Sequence, residues 1–185
     1  MGKSIEGTSL NVKTLHIKDE DLKQHSYRVN ELCQEMGLAL GLSNQQITDL
    51  KNVALLHDIG KFKLDPKILN KPGKLTAGEW REIKRHPGLG YQMLCNLNMK
   101  SIAENVLAHH ERWDGHGYPR GLKGDQIPLF ARINAIVDAY DAMTNDRSYR
   151  KALPKIEAIK ELKKNAGTQF DPQLVELFLE KVIMQ

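Results

Sequence analysis

Residues 43–61, SNQQITDLKNVALLHDIGK, carry the reading on which the fold turns. Ser43 with Gln46 three positions on is a capping box, in which side chain and backbone satisfy each other's free donors at a helix start. From there Ile47, Leu50, Ala54 and His57 recur at three- and four-residue spacings, the pattern of a helix with one apolar face. That helix closes on an imidazole and a carboxylate, His57 and Asp58, followed by Gly60 and Lys61. An adjacent imidazole and carboxylate can bind one metal ion or bridge two. The same pair also fits a capping Asp beside a half-buried His, and alone it does not decide between them.

The helical pattern extends in both directions from this stretch. Between Asp19 and Leu40 the apolar residues Leu22, Val29, Leu32, Met36 and Leu40 fall mostly three and four apart, and Gly41 suits the stop. Thr76 with Glu79 and Ser101 with Glu104 repeat the capping box, launching helices that carry Trp80 and Ile83, then Ile102, Val106 and His109. Pro128, Pro154 and Pro172 suit first-turn positions, with Asp171 as an N-cap. The last two helices are expected to bury Ile156 and Ile159, then Leu174, Val175, Phe178 and Val182. Lys61–Lys74 and Arg112–Asp125, rich in Gly, Pro and charge, read as loops. No run alternates with a period of two, so the expected fold is an all-α bundle of about seven helices. Residues 1–18 read as a linker or flexible segment and 19–185 as the domain.

At 185 residues the chain is long enough to bury a core unaided. A composition 41% hydrophobic and 27% charged excludes intrinsic disorder. The formal charge of +4 favours anionic ligands but is too small to indicate nucleic acid, and none is expected as a direct partner. Cys33 and Cys95 lack CxxC spacing and the N-terminus lacks a secretory apolar region, so a cytoplasmic location is expected. No apolar run approaches the ~20 residues that span a bilayer, which predicts no membrane attachment through this chain.

Further candidates for chemistry lie near the predicted helix ends. His109 and His110 point about 100° apart on a helix and can both reach an ion beyond its end, although a polar helix terminus accounts for them equally well. Asp21 and His25 are four apart and share a face, as surface pairs often do. Asp138 and Asp141 sit among Ile133, Val137 and Tyr140, so an inward-facing Asp138 needs a partner, either a metal or an Arg. His86 precedes Pro87 at a helix break. Nitrogen and oxygen donors without thiolates suit iron or manganese, with zinc and nickel also compatible.

Read in order, LLHDIGK (55–61), KPGKLT (71–76), His86-Pro87, HHERWDGHGYPRG (109–121) and VDAYDAMTNDRSYRKA (137–152) resemble the successive signatures of the HD-GYP family, from about His25 to Asp171. The resemblance implies an HD-superfamily bundle with a metal cluster in its core cleft. It assigns His25, His57, Asp58 and Asp138 to one ion, and His86, His109 and His110, with Asp58 shared, to the next. Some members hold a third ion through a Glu four residues before the first His. Here that position is Asp21, one methylene shorter, so two ions are expected and a third depends on Asp21. Where relatives often carry a small residue between the two glycines, this chain has His116, read as a loop residue.

The implied activity is hydrolysis of cyclic di-GMP to pGpG, GMP or both, by a hydroxide bridging the two ions, with Asp58 and Lys61 in the catalytic set. Lys61, Tyr118, Arg147 and Arg150 are the expected substrate contacts, since guanidinium forks suit phosphate and the guanine edge. Two alternatives stand beside it: a module that senses a cyclic dinucleotide or docks a partner without turnover, and an HD phosphohydrolase for another nucleotide. Relatives are often fused to sensor or receiver domains or work with GGDEF-type partners. The oligomeric state is left open.

Overall fold

The computed structural model describes residues 20–146 and 151–184, with side chains from residue 24. Its helices are α1 (Glu20–Ala39), α2 (Asn44–Leu56), α3 (Pro66–Leu69), α4 (Ala77–Ile83), α5 (His86–Asn96), α6 (Lys100–Ala108), α7 (Leu129–Thr144), α8 (Lys155–Asn165) and α9 (Pro172–Phe178). A 3₁₀ turn, Ile59–Lys63, follows α2, a second spans Gly124–Gln126, and a π turn, Leu179–Ile183, extends α9. Among the described residues no β-strand forms, and no helix is long and apolar enough to cross a membrane. The chain is the all-α helical bundle that its periodicity predicts.

Local chemistry sets most boundaries. After α1, Gly41 adopts φ +67°, its N–H reaches the Leu38 carbonyl, and the Leu42 N–H reaches Gly37 at 3.0 Å. These two bonds form a Schellman stop, which favours a residue without Cβ at that backbone angle. The boxes at Ser43 and Thr76 both form, and Asp171 caps α9 by accepting from the Gln173 and Leu174 amides. The box expected at Ser101 does not form. α6 begins at Lys100, and Glu104 instead takes the Arg120 guanidinium at 2.6 Å. Pro128 and Pro154 stand at the N-cap rather than inside the first turn. The segment expected to be a loop at Lys61–Lys74 contains the end of a 3₁₀ turn and all of α3, capped by Asp65. Ile156, expected in the core, is 58% exposed, and Ala158, Ile159 and Leu162 are the residues that α8 buries.

Two apolar cores share α2. One gathers Val29, Cys33 and Met36 of α1, Leu50 and Ala54 of α2, and Ile133, Ile136 and Val137 of α7 with Phe178 of α9. The other joins Val53 and Leu56 of α2 to Leu94 of α5 and Ile102 and Val106 of α6. α5 packs on α6 and on the 3₁₀ turn after α2. There the chains touch backbone to backbone, because a Cβ on Gly60 would overlap the His86 carbonyl. The end of α2 and the start of α5 are therefore held together with no side chain between them. Both ends carry histidines.

Candidate metal centre

Three helix ends deliver three imidazoles in one way. His57 closes α2, His109 closes α6, and His86 follows the end of α4. In each, Nδ1 lies against the backbone carbonyl three residues earlier: Ala54 at 2.8 Å, Val106 at 2.5 Å and Ile83 at 2.8 Å. Carbonyls in a last helical turn lack intrahelical donors, so the ring N–H satisfies them. A carbonyl only accepts, so Nδ1 carries the hydrogen, and in the neutral ring Nε2 offers a lone pair facing inward. His25 reaches the same state from α1, donating Nδ1–H to the Asp141 carboxylate at 2.7 Å.

The inward atoms form two groups. Donor atoms of His86, His109 and His110 lie within 4.8 Å of one another, as do those of His25, His57 and Asp138. Asp58 stands between the groups. Its Oδ2 is 3.4 Å from His57 Nε2, while its Oδ1 is 3.4 Å from His86 Nε2 and 4.0 Å from His109 Nε2. On the other flank Asp138 Oδ1 lies 3.4 Å from His25 Nε2.

This arrangement fits cations. His86 Nε2 and His109 Nε2 face each other at 3.1 Å although both Nδ1 hydrogens are already committed, so two lone pairs confront one another. A positive centre between or beside them removes the repulsion. Burial pushes His109 well below the usual imidazole range and His110 to about 4, with neighbouring imidazoles adding to both, so each stays neutral and able to ligate. Burial alone would lower His57, but the adjacent Asp58 carboxylate outweighs it and lifts the ring to about 9. Burial would likewise raise Asp58, yet His57 and Lys61 hold it well below the carboxylate range.

Around the donors sits a polar support. Asp141, 2% exposed, accepts from His25 and from Arg28 at 2.5 and 3.1 Å, and its carboxyl is held low by both against the opposing pull of burial. Lys61 Nζ is 2.6 Å from Asp58 Oδ2. Tyr118 stacks on His110 with ring centres 4.8 Å apart. Its loop is pinned by the buried Glu111, whose carboxylate accepts the Arg120 and Leu122 amides at 2.7 and 3.0 Å. Gly117 permits that fold, because a Cβ there would collide with the backbone of Glu111 and Arg112.

The structure thus brings together His25, His57, Asp58, His86, His109, His110 and Asp138, with Lys61 and Tyr118 at their edge. Asp21 lies in α1, but its side chain is outside the described residues, as are Arg147 and Arg150 altogether. His116 is an exposed loop residue beside Asp114, 3.4 Å away. In the sequence Asp141 stands beside Asp138 without a task, and Glu111 stands only within the HHERWDGHGYPRG stretch. Asp141 carried a weak signal in its spacing from Asp138, whereas Glu111 carried only its place after two histidines.

The chain is similar to known proteins over most of its length. A family model described as "HD domain" matches residues 9–174. The chain is 39% identical over 166 residues to a cyclic di-GMP phosphodiesterase of Thermotoga maritima, covering 88% of this chain and 45% of that one. It is 40% identical over 159 residues to the 3′3′-cGAMP-specific phosphodiesterase 2 of Vibrio cholerae, covering 84% and 30%. The cyclic di-GMP phosphodiesterase PA4108 of Pseudomonas aeruginosa is 41% identical over 175 residues, covering 94% and 42%. The chain spans less than half the length of these relatives. The fold is that of the V. cholerae cyclic GMP-AMP phosphodiesterase V-cGAP3, with TM-score 0.66 and 23% identity over 84% of this chain and 43% of that one. It is equally that of the Listeria monocytogenes PgpH HD domain in complex with cyclic-di-AMP, with TM-score 0.65 and 20% identity over 94% and 93%.

Proposed function

Because the chain belongs to the HD domain family, we propose that it hydrolyses the phosphodiester bonds of a cyclic dinucleotide, with cyclic di-GMP as the first candidate. The observation that carries this reading is the pair of donor groups with the Asp58 carboxylate between them. His25, His57, Asp58 and Asp138 would hold one divalent ion, and Asp58, His86, His109 and His110 the other. We assign iron or manganese to these sites, a mixed imidazole and carboxylate set with which zinc and nickel are also compatible. Such ions, when bound, polarise a phosphoryl oxygen and bring the pKa of water from ~15.7 to about 7.

The protein's own groups supply position and charge. Asp58, with an oxygen toward each donor group, is suited to fix the spacing between them. Lys61 at the edge of Asp58 places an ammonium where phosphoryl charge would develop. Tyr118 shapes the wall over His110. Arg147 and Arg150 are assigned to the phosphate or the guanine edge, on their place in the sequence alone. In the first cut a water oxygen bonds to phosphorus, the bond to the ribose 3′ oxygen breaks, and a proton passes to that oxygen, giving linear pGpG. A second cut gives GMP. Asp21 governs whether a third ion joins.

The test is product formation from cyclic di-GMP with Mn²⁺ or Fe²⁺ under anaerobic reducing conditions, with ions counted per chain by elemental analysis. Appearance of pGpG or GMP is expected, and binding without cleavage would overturn the reading. Relatives named as 3′3′-cGAMP-specific favour one second reading, a mixed cyclic dinucleotide substrate, so 3′3′-cGAMP and cyclic di-AMP are assayed in parallel.

A further inference from the structure

Tyr118 is not the outer limit of the site. Lys84, at the C-terminal end of α4, places its ammonium 5.0 Å from the centre of the Tyr118 ring and 5.9 Å from that of Trp80. Lys84 makes no ion pair among the described residues, so aromatic faces rather than a carboxylate hold its charge. Trp80, one turn earlier on the same helix, is 47% exposed. A continuous row therefore runs outward from a donor histidine: His110, Tyr118, Lys84, Trp80. The row starts at the donor group of His86, His109 and His110 and ends in solvent.

A solvated indole face with a cation beside it matches one half of a cyclic dinucleotide. Such a ligand carries two phosphodiesters and two purines, and a metal centre can act on one diester at a time. The other half must lie outside the donor groups. Purines stack on indole, and a lysine without a carboxylate partner meets an anion without first breaking an ion pair. We infer that Trp80 and Lys84 form the outer subsite of the centre, Trp80 stacking the purine and Lys84 gripping the phosphodiester of the half that is not being cut. This rests on the proposed function. Neither residue is catalytic; both set which substrates are held.

The experiment compares the Mn²⁺-loaded wild type with Trp80→Ala, Trp80→Phe, Lys84→Gln and Lys84→Arg on two substrates. One is cyclic di-GMP; the other is bis(p-nitrophenyl) phosphate, a diester with no second half. The expected result is a KM for cyclic di-GMP raised about tenfold in Trp80→Ala and Lys84→Gln, the scale of one lost stacking or charged contact, with kcat changed less than about twofold. The Phe and Arg variants should restore most of the affinity, and turnover of the simple diester should keep its KM throughout. An unchanged KM for cyclic di-GMP overturns the inference, as does equal damage on both substrates, which would mean that the row merely supports His86 and His110. A wild type that cleaves the simple diester and leaves cyclic di-GMP intact overturns the functional reading as well, and so separates that failure from this one.

Discussion

Asp58, half-buried, and Asp141, buried, are both carboxylates close to imidazoles, yet the geometry gives them different tasks. Asp58 turns one oxygen to each donor group, so Asp58→Ala, like His57→Ala, should abolish metal-dependent hydrolysis with the helical circular dichroism unchanged; full activity in either variant would sink the assignment. Asp141 touches no proposed ion site directly and acts through His25. Asp141→Asn keeps the shape but lets the His25 ring turn, and loss of such an outer partner typically costs about 10–100-fold in metal affinity. A metal titration followed by calorimetry should show that loss in the group containing His25 while the group of His86, His109 and His110 keeps its affinity. The candidate donors were legible as residue types within motifs. The task of Asp141 was not, because its contact joins α1 to α7 across 116 positions of sequence. No local pattern encodes such a meeting.

Elements show where local rules hold and where tertiary contacts override them. The capping boxes at Ser43 and Thr76 form because nothing competes for Gln46, and because the Lys71 ammonium reinforces Glu79 rather than removing it. At Ser101 the same pattern fails, since α6 already begins at Lys100 and Ser101 lies inside its first turn, leaving Glu104 to pair with Arg120 from the loop after α6. Ile156 likewise fits the helical period but falls on the solvent side of α8. The tightest constraint is the junction of α2 and α5, where Gly60 meets the His86 carbonyl. Gly60→Ala should destabilise the protein by about 1–3 kcal/mol, the usual cost of overpacking a close contact. It should also lower bound metal, because relief comes only by moving His86. Urea denaturation with ion counting on the same samples checks both, and normal stability with full metal would contradict the contact.

The molecule as a whole couples folding to ligand. The proposed donors come from α1, the end of α2, the start of α5, the end of α6 and α7, so an ion bound there would tie all of those elements to one point. Ligands that bind only the native state stabilise it by about 2.7 kcal/mol at 100 times their Kd. Chelation should therefore lower the thermal midpoint by several degrees and Mn²⁺ should restore it; a midpoint indifferent to chelator would argue against ions at this centre. The fold class was legible from periodicity, since helices of this length announce themselves in sequence. Their arrangement around two cores sharing α2 was not, because apolar positions declare a buried face without naming its partner. The backbone contact at Gly60 gives that arrangement a practical meaning for mutagenesis. Residues of the second core such as Leu94 and Val106 stand behind α5 and α6, and no side chain cushions Gly60 against His86. A library that randomises this core would be expected to reveal its failures first as colonies that are folded but metal-poor, well before any clone loses its soluble expression.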